Sequence, residues 1–325
     1  MGRVIDGAWH TDQQTASGDG RFRRAPTMFH NWVTADGSPG PTGDGGFKAE
    51  RGRYHLYFAK ACPWAHRTMI FRKLKKLEAL IAVSEVEPRV RNEGWEFSAE
   101  RPDAVNGKNR LYEVYLLAKA DYTGRASVPV LWDKQTRTIV NNESSEIIRM
   151  FNSAFDAVGG DRSVDFYPEP LRAEIDRINA VVYDTVNDGV YRTGFARTQA
   201  AYDEAVATLF ATLDMLDERL AANRYLVGDR ITEADWRLFT TLVRFDTVYV
   251  GHFKCNIRRI EDYPNLSGYL RELYQHPHIA GTIDFDSVKR HYYQSHVALN
   301  PRGIVPSGPT LDLTTPHGRE RLKAA

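Results

Sequence analysis

Two cysteines stand in this chain of 325 residues, and their surroundings differ. Cys62 is followed by Pro63, Trp64, Ala65, His66 and Arg67, while Cys255 lies in Phe253-Lys254-Cys255-Asn256. A cysteine ahead of proline at a strand-to-helix junction meets free N–H groups and the positive end of a helix dipole. Both favour the thiolate and pull the thiol below its usual range. The expectation is a nucleophilic Cys62, its pKa lowered, and a Cys255 that only packs. His66, four residues on, could suggest a metal pair, but two ligands make no site and no metal is expected. Ala65 occupies the place where a second thiol would resolve a disulfide. The chemistry would therefore be that of one thiol served by an external one.

The elements around Cys62 fit that chemistry. Tyr54–Ala59 has strand composition, Thr68–Leu80 carries apolar residues at helical spacing (Met69, Ile70, Leu74, Leu77), and Ile81–Val86 reads as a second strand. This is a βαβ unit with Cys62 at the head of its helix, as thioredoxin-like proteins present a reactive thiol. Pro88–Asp121 is polar and irregular. Ser127–Asp133 is a strand entered through Pro129, and Thr138–Val140 is its short partner. Asn141–Glu146 supplies capping side chains to the helical run Ile147–Phe151. Val128-Pro129 resembles the cis-proline strand of thioredoxin-like folds, whose backbone receives the peptide backbone of glutathione. Glu143-Ser144 suits the γ-glutamyl end, the carboxylate pairing its ammonium and Ser144 its carboxylate.

From Pro168 onward the periodicity is helical. Helices are expected over Pro170–Val186 and Ala200–Ala222, the latter with Leu209, Leu213, Leu216 and Leu220 along one face. Thr232-Glu233-Ala234-Asp235 has the capping-box form, flanked by Ile231 and Trp236 where a hydrophobic staple has its two ends, and opens a helix to about Tyr249. A further helix follows Tyr263-Pro264-Asn265-Leu266. Residues 1–50 are polar, with a glycine-rich run from Gly37 to Gly46, yet Trp9, Phe22, Phe29 and Trp32 argue for an extended segment laid over the body.

Composition removes other classes. Lys+Arg 43 against Asp+Glu 42 leaves +1, which offers nucleic acid no basic field. Hydrophobic residues at 42% build a full core, but no apolar run is long enough to span a bilayer. Two cysteines make no disulfide framework. Met1–Asp6 has no apolar leader core, and a reduced cytoplasmic protein is expected.

Together these segments resemble the glutathione transferase superfamily with a cysteine in the catalytic place, as in its omega class, and more narrowly the xi class of glutathionyl-hydroquinone reductases. The resemblance lies in Cys62–Arg67, Asn92–Phe97, Arg125–Asp133 and Asn142-Glu143-Ser144. It continues through Tyr191–Ala196, Arg244–Tyr249, His252–Asn256 and His291–Tyr293. It implies an α/β thioredoxin-like N-terminal domain (51–160) plus an all-α C-terminal domain (161–296), with an extended N-terminal arm (1–50) and C-terminal tail (297–325). It implies reduction of glutathionyl-hydroquinones through a Cys62–glutathione mixed disulfide, resolved by a second glutathione. Glutathione is then a co-substrate, with no bound cofactor. Tyr191 is the implied proton donor, and Tyr249 and Tyr292 are hydrogen-bond donors to thiolate or substrate. Trp95, Arg125, Ala126, Ser127, Val128, Glu143 and Ser144 would bind glutathione. A homodimer is implied, with neither nucleic acid nor membrane as partner. The alternative is an omega-like thioltransferase or dehydroascorbate reductase using the same Cys62.

Overall fold

The computed structural model describes residues 2–11 and 18–322; positions 1, 12–17 and 323–325 of the expected arm and tail lie outside the described residues. Two small sheets open the chain. The hairpin β1 (Arg3–Ile5) and β2 (Ala8–His10) is followed by the parallel pair β3 (Trp32–Thr34) and β4 (Gly46–Lys48). The arm is tied to the body by backbone. Val4 and Gly124 exchange N–H···O bonds of 2.9 Å, and His30 bridges Asn141.

The central sheet has four strands in the order β6-β5-β7-β8. β5 (Tyr54–Phe58) runs parallel to β6 (Ala82–Glu85), with His55 opposite Ala82, and antiparallel to β7 (Val130–Asp133), with Leu56 opposite Leu131. β8 (Thr138–Asn141) closes the edge. Every residue of β5 and β7 is buried, as a central strand covered on both faces requires. Between β5 and β6 lies α1 (Pro63–Leu74), with Cys62 as its N-cap and Pro63 in its first turn. Proline there forfeits an N–H that has no helical partner anyway. α1 stops six residues short of the expected Leu80, because the backbone turns left-handed at Lys76 (φ 54). Leu77 and Leu80 still enter the core from that turn, so their spacing is satisfied without a helix.

A second difference is α2 (Leu111–Ala118), in the stretch read as irregular. Glu113 caps it by accepting from the Arg110 N–H at 2.8 Å. After β8, α3 (Ser144–Ser153) is capped by Glu143, whose side chain accepts from the Ser145 N–H.

The remaining chain is helical: α4 (Arg172–Val182), α5 (Gly189–Gly194), α6 (Gln199–Ala222), α7 (Glu233–Arg244), α8 (Val250–His252), α9 (Leu266–Gln275) and α10 (Phe285–Ser295). Two of these helices continue through π-helical turns, Tyr183–Asn187 after α4 and Phe245–Tyr249 after α7. The expected ends at Val186 and Tyr249 therefore fall inside π turns rather than α-helix. All four leucines of the α6 face are fully buried. Among the described residues no helix is long and apolar enough to cross a membrane.

The Thr232 capping box is present and its acid does more than cap. One oxygen of Asp235 accepts from the N–H and hydroxyl of Thr232; the other accepts from the Leu226 N–H and, at 2.7 Å, from the Tyr269 hydroxyl. One buried carboxylate thus joins the 226 loop, the head of α7 and α9. Asp235→Ala leaves these donors unmatched, and urea denaturation is expected to show a loss of about 3 kcal/mol. An unchanged midpoint would remove Asp235 as the junction.

Candidate active site

The turn from β5 into α1 sets the position of Cys62. Its N–H bonds to the Ala59 carbonyl at 3.1 Å, and its own carbonyl accepts from the His66 N–H at 3.0 Å, the first turn of the helix. The side chain is 8% exposed and its thiol points to the Val128 carbonyl, 3.5 Å away. The expected lowering of the thiol pKa is not what this environment yields. Burial pushes the thiol up, and outweighs the N–H groups of Ala65 and Trp64 and the charges of Arg244 and Arg24, all of which pull it down. The helix terminus acts in the expected direction; desolvation is larger.

Arg244, at the end of α7, fixes the loop ahead of Cys62. It is fully buried and donates to the carbonyls of Lys60 (2.8 Å), Ala61 (3.1 Å) and Thr240 (2.8 Å), and to His66 Nδ1 (3.0 Å). The other ring nitrogen of His66 pairs with the Thr282 hydroxyl at 2.7 Å. Both nitrogens are thus engaged, and burial beside a guanidinium drives the ring pKa well below its usual value. Among the described residues no group of three or more His, Cys, Asp or Glu could hold a metal.

Across from the thiol, the Val128–Pro129 peptide is cis. The segment before it is held by two phenols. The Tyr115 hydroxyl donates to the Ser127 carbonyl (2.7 Å) and accepts from the Ser127 N–H (3.2 Å), while the Tyr122 hydroxyl donates to the Arg125 carbonyl (3.0 Å). Asn142 reaches the same Tyr115 hydroxyl at 3.0 Å, so the unexpected α2 couples the cis-proline strand to the head of α3. Arg125, Ser127, Val128, Glu143 and Ser144 all line one cavity of about 560 Å³; Ala126 is half-buried against the apolar cluster that contains Cys62 and Val128. Glu143 both caps α3 and faces this cavity. Ser144 accepts from Arg67, a fully buried guanidinium whose pKa burial pulls down to about 9.

The three tyrosines converge from different helices. Tyr191 (α5) and Tyr249 (π turn) both hydrogen-bond the Tyr292 hydroxyl (α10), at 2.7 and 2.9 Å. Of the adjacent pair, Tyr292 joins the cluster through its hydroxyl, while the Tyr293 ring packs on His252 at 4.7 Å. Gly194 lets α5 lie directly against Phe253, since a Cβ there would fall 2.2 Å from that ring. Burial pushes Tyr191 up to about 12, with Arg24 opposing and Cys62 adding to the rise. Burial also pushes Tyr249 and Tyr292 well above the usual phenol value. Trp95, expected to pack on glutathione, is buried beside α10. Its ring stacks on His291 at 4.9 Å and is not among the cavity's lining residues.

Arg24, in the N-terminal arm, is a site residue outside the sequence-based expectation. Its guanidinium lies over Tyr191 (4.6 Å) and Trp64 (4.9 Å) and bonds Asp188 at 2.6 Å. A lone arginine in an aperiodic segment gives no sequence signal.

Comparison with known proteins bears on this arrangement. The family profile described as "Glutathione S-transferase, N-terminal domain" matches residues 61–154, and "Glutathione S-transferase, C-terminal domain" matches 199–272. The chain is 55% identical to glutathionyl-hydroquinone reductase YqjG of Escherichia coli (strain K12), covering 98% of this chain and 99% of that protein. It is 53% identical to glutathionyl-hydroquinone reductase PcpF of Sphingobium chlorophenolicum, covering 96% and 98%. Among solved structures, the glutathione-bound form of YqjG superposes with a TM-score of 0.91 at 53% identity, over 98% of this chain and 99% of that one.

Proposed function

The chain belongs to the glutathione S-transferase family, and with a cysteine at the head of α1 we propose that it is a glutathionyl-hydroquinone reductase with glutathione as co-substrate. The observation that carries the reading is the single thiol of Cys62 beside the cis Val128–Pro129 peptide, at a cavity lined by Glu143 and Ser144. In the first step Cys62 attacks the sulfur of the glutathionyl group. The carbon–sulfur bond breaks, a Cys62–glutathione disulfide forms, and the proton equivalent to that of the thiol ends on the ring carbon. In the second step a glutathione thiolate attacks the mixed disulfide, releasing oxidised glutathione and regenerating Cys62. Sulfur is oxidised and the ring reduced by the same electron pair.

Glutathione is held by Arg125 and the backbone of Ala126, Ser127 and Val128. Glu143 and Ser144 take its γ-glutamyl end, and Trp95 is a packing wall backed by His291. Tyr191 delivers the proton to carbon: a phenol with pKa about 12 is fully protonated near neutrality, and Tyr249 and Tyr292 connect to it. A division of labour between a glutathione-binding unit (51–160) and a helical unit (161–296), wrapped by arm and tail, follows from these roles. So does a reduced compartment, the cytoplasm, where Cys62 stays a thiol and glutathione is at hand. A homodimer completes the reading.

The two relatives named glutathionyl-hydroquinone reductase favour this reaction over the omega-like reduction of small disulfides. Turnover of a glutathionyl-hydroquinone is expected to exceed that of hydroxyethyl disulfide; the reverse preference would select the omega-like reaction. Tyr191→Phe is expected to slow formation of the mixed disulfide roughly 10²-fold. Its resolution by glutathione should stay within about twofold, since that step transfers no proton to carbon. Rapid quench with mass spectrometry separates the two. An unaltered first step would remove Tyr191 as the acid.

A further inference from the structure

Arg24 contributes to the cavity a group that the two-step exchange leaves unused. Its arm segment is locked in place: the Gly20 carbonyl accepts from the Arg197 N–H at 2.9 Å, and Phe22 packs on Phe195 at 5.4 Å. The Arg24 side chain is 30% exposed as a whole and lines the cavity, with Nε spent on Asp188. Its Nη2, by contrast, is shielded from solvent and among the described residues has no hydrogen-bond partner. A guanidinium donor kept out of water without an acceptor is costly and calls for an explanation, and a ligand's acceptor at the cavity supplies one. The neighbouring rings narrow the ligand. The faces of Trp64 and Tyr191 lie 4.9 and 4.6 Å from the guanidinium carbon, a setting suited to an aromatic ring that carries an oxygen acceptor.

We propose that Arg24 recognises the ring oxygen of the aromatic substrate, donating from Nη2 to the phenolic oxygen and stabilising it as phenolate while the ring departs. The assignment rests on the hydroquinone reading. It also answers a difficulty of the first step, since an aryl carbanion is a very poor leaving group. If the ring hydroxyl gives its proton to water while Tyr191 protonates the sulfur-bearing carbon, a dienone forms. Attack of the Cys62 thiolate on sulfur then breaks the carbon–sulfur bond. Its electron pair runs through the ring to the oxygen, which leaves as phenolate and regains a proton from water. A fixed positive donor at that oxygen acts where the charge develops.

The test compares two substrates that share Cys62 and the glutathione site. One is a glutathionyl-hydroquinone; the other is the mixed disulfide of glutathione with 2-hydroxyethanethiol, which has no ring oxygen. Arg24→Gln also removes a charge that pulls the Cys62 thiol down, which acts on both substrates alike, so the expected result is a loss in kcat/KM roughly 30-fold larger on the first than on the second. Arg24→Lys, which keeps a charge beside Asp188 but not the planar fork, should show the same selectivity at roughly several-fold. Equal loss on both substrates in a folded variant, or loss on neither, overturns the assignment. If Arg24→Gln does not fold, the lysine variant decides, and without selective loss the assignment falls. Failure of the unsubstituted enzyme to turn over the glutathionyl-hydroquinone is a separate outcome, which sinks the hydroquinone reading and this assignment with it.

Discussion

Cys62→Ser is expected to abolish reduction of glutathionyl-hydroquinones, by roughly 10⁴-fold or more. The size follows from chemistry rather than from shape. Serine fits the same space, but its alcohol is barely ionised near neutrality and its oxygen cannot hold glutathione in a disulfide. No second thiol stands ready: Ala65 lies where one would, and Cys255 is fully buried, with its pKa driven far up by desolvation. The variant should fold normally, because serine fits the same space and the Cys62 thiol donates only weakly, at 3.5 Å to the Val128 carbonyl. Mass spectrometry of the unsubstituted protein after one turnover without free glutathione should show one glutathionyl group on the Cys62 peptide, and the serine variant none. Full activity in the variant would end the mechanism.

Arg244→Met should damage stability and thiol reactivity together. Arg244 is a buried cation that, among the described residues, forms no ion pair; its partners are three carbonyls and His66. Methionine fills much of its volume but leaves the carbonyls of Lys60 and Ala61 and the Nδ1 of His66 without donors. Each buried acceptor stripped of its partner costs about 1 kcal/mol or more, so a loss of about 3 kcal/mol in urea denaturation is expected. The second effect has a definite sign. The Arg244 charge pulls the Cys62 thiol down against the burial that pushes it up. Removing that charge raises the thiol pKa, and the pH profile of Cys62 alkylation should move to higher pH. Arg244→Lys keeps a charge but cannot reach all four acceptors, so it should shift the profile less while still losing stability. A methionine variant with an unmoved profile would show that Arg244 holds the loop and nothing more.

What the sequence reveals of this site is local. Cys62-Pro63 after a strand, Val128-Pro129 and Glu143-Ser144 each carry their meaning within a few residues, and the strands and capped helices around them come from short-range pattern. The parts not legible join distant positions. Tyr292 meets partners 43 and 101 positions away in the chain, and only those long-range hydroxyl bonds separate it from Tyr293. α2 is not legible because eight residues hold too few turns for a periodic signal. Its Tyr115 nevertheless fixes the cis-proline strand. The Cys62 thiol departs from expectation for a related reason. A helix end is visible in sequence, whereas the burial opposing it is made by the rest of the fold.

The π turns that extend α4 and α7 end at Asn187 and Tyr249. Asn187 accepts from Arg67 and donates to the Arg237 carbonyl and the Thr241 hydroxyl, and Tyr249 is bonded to Tyr292. A π turn spends one more residue per turn than an α-helix covering the same path, so each is in effect a helix lengthened by a single insertion. Winding the same stretch as α-helix would rotate the chain beyond it by about 100°. Helical regularity and the site's geometry are therefore opposed at these two places. Winding all of Phe245–Tyr249 as α-helix would therefore turn Tyr249 away from Tyr292, whereas losing one residue ahead of Tyr249 would restore an ordinary pitch over the same path. These helices carry a constraint on length, independent of which side chains they bear.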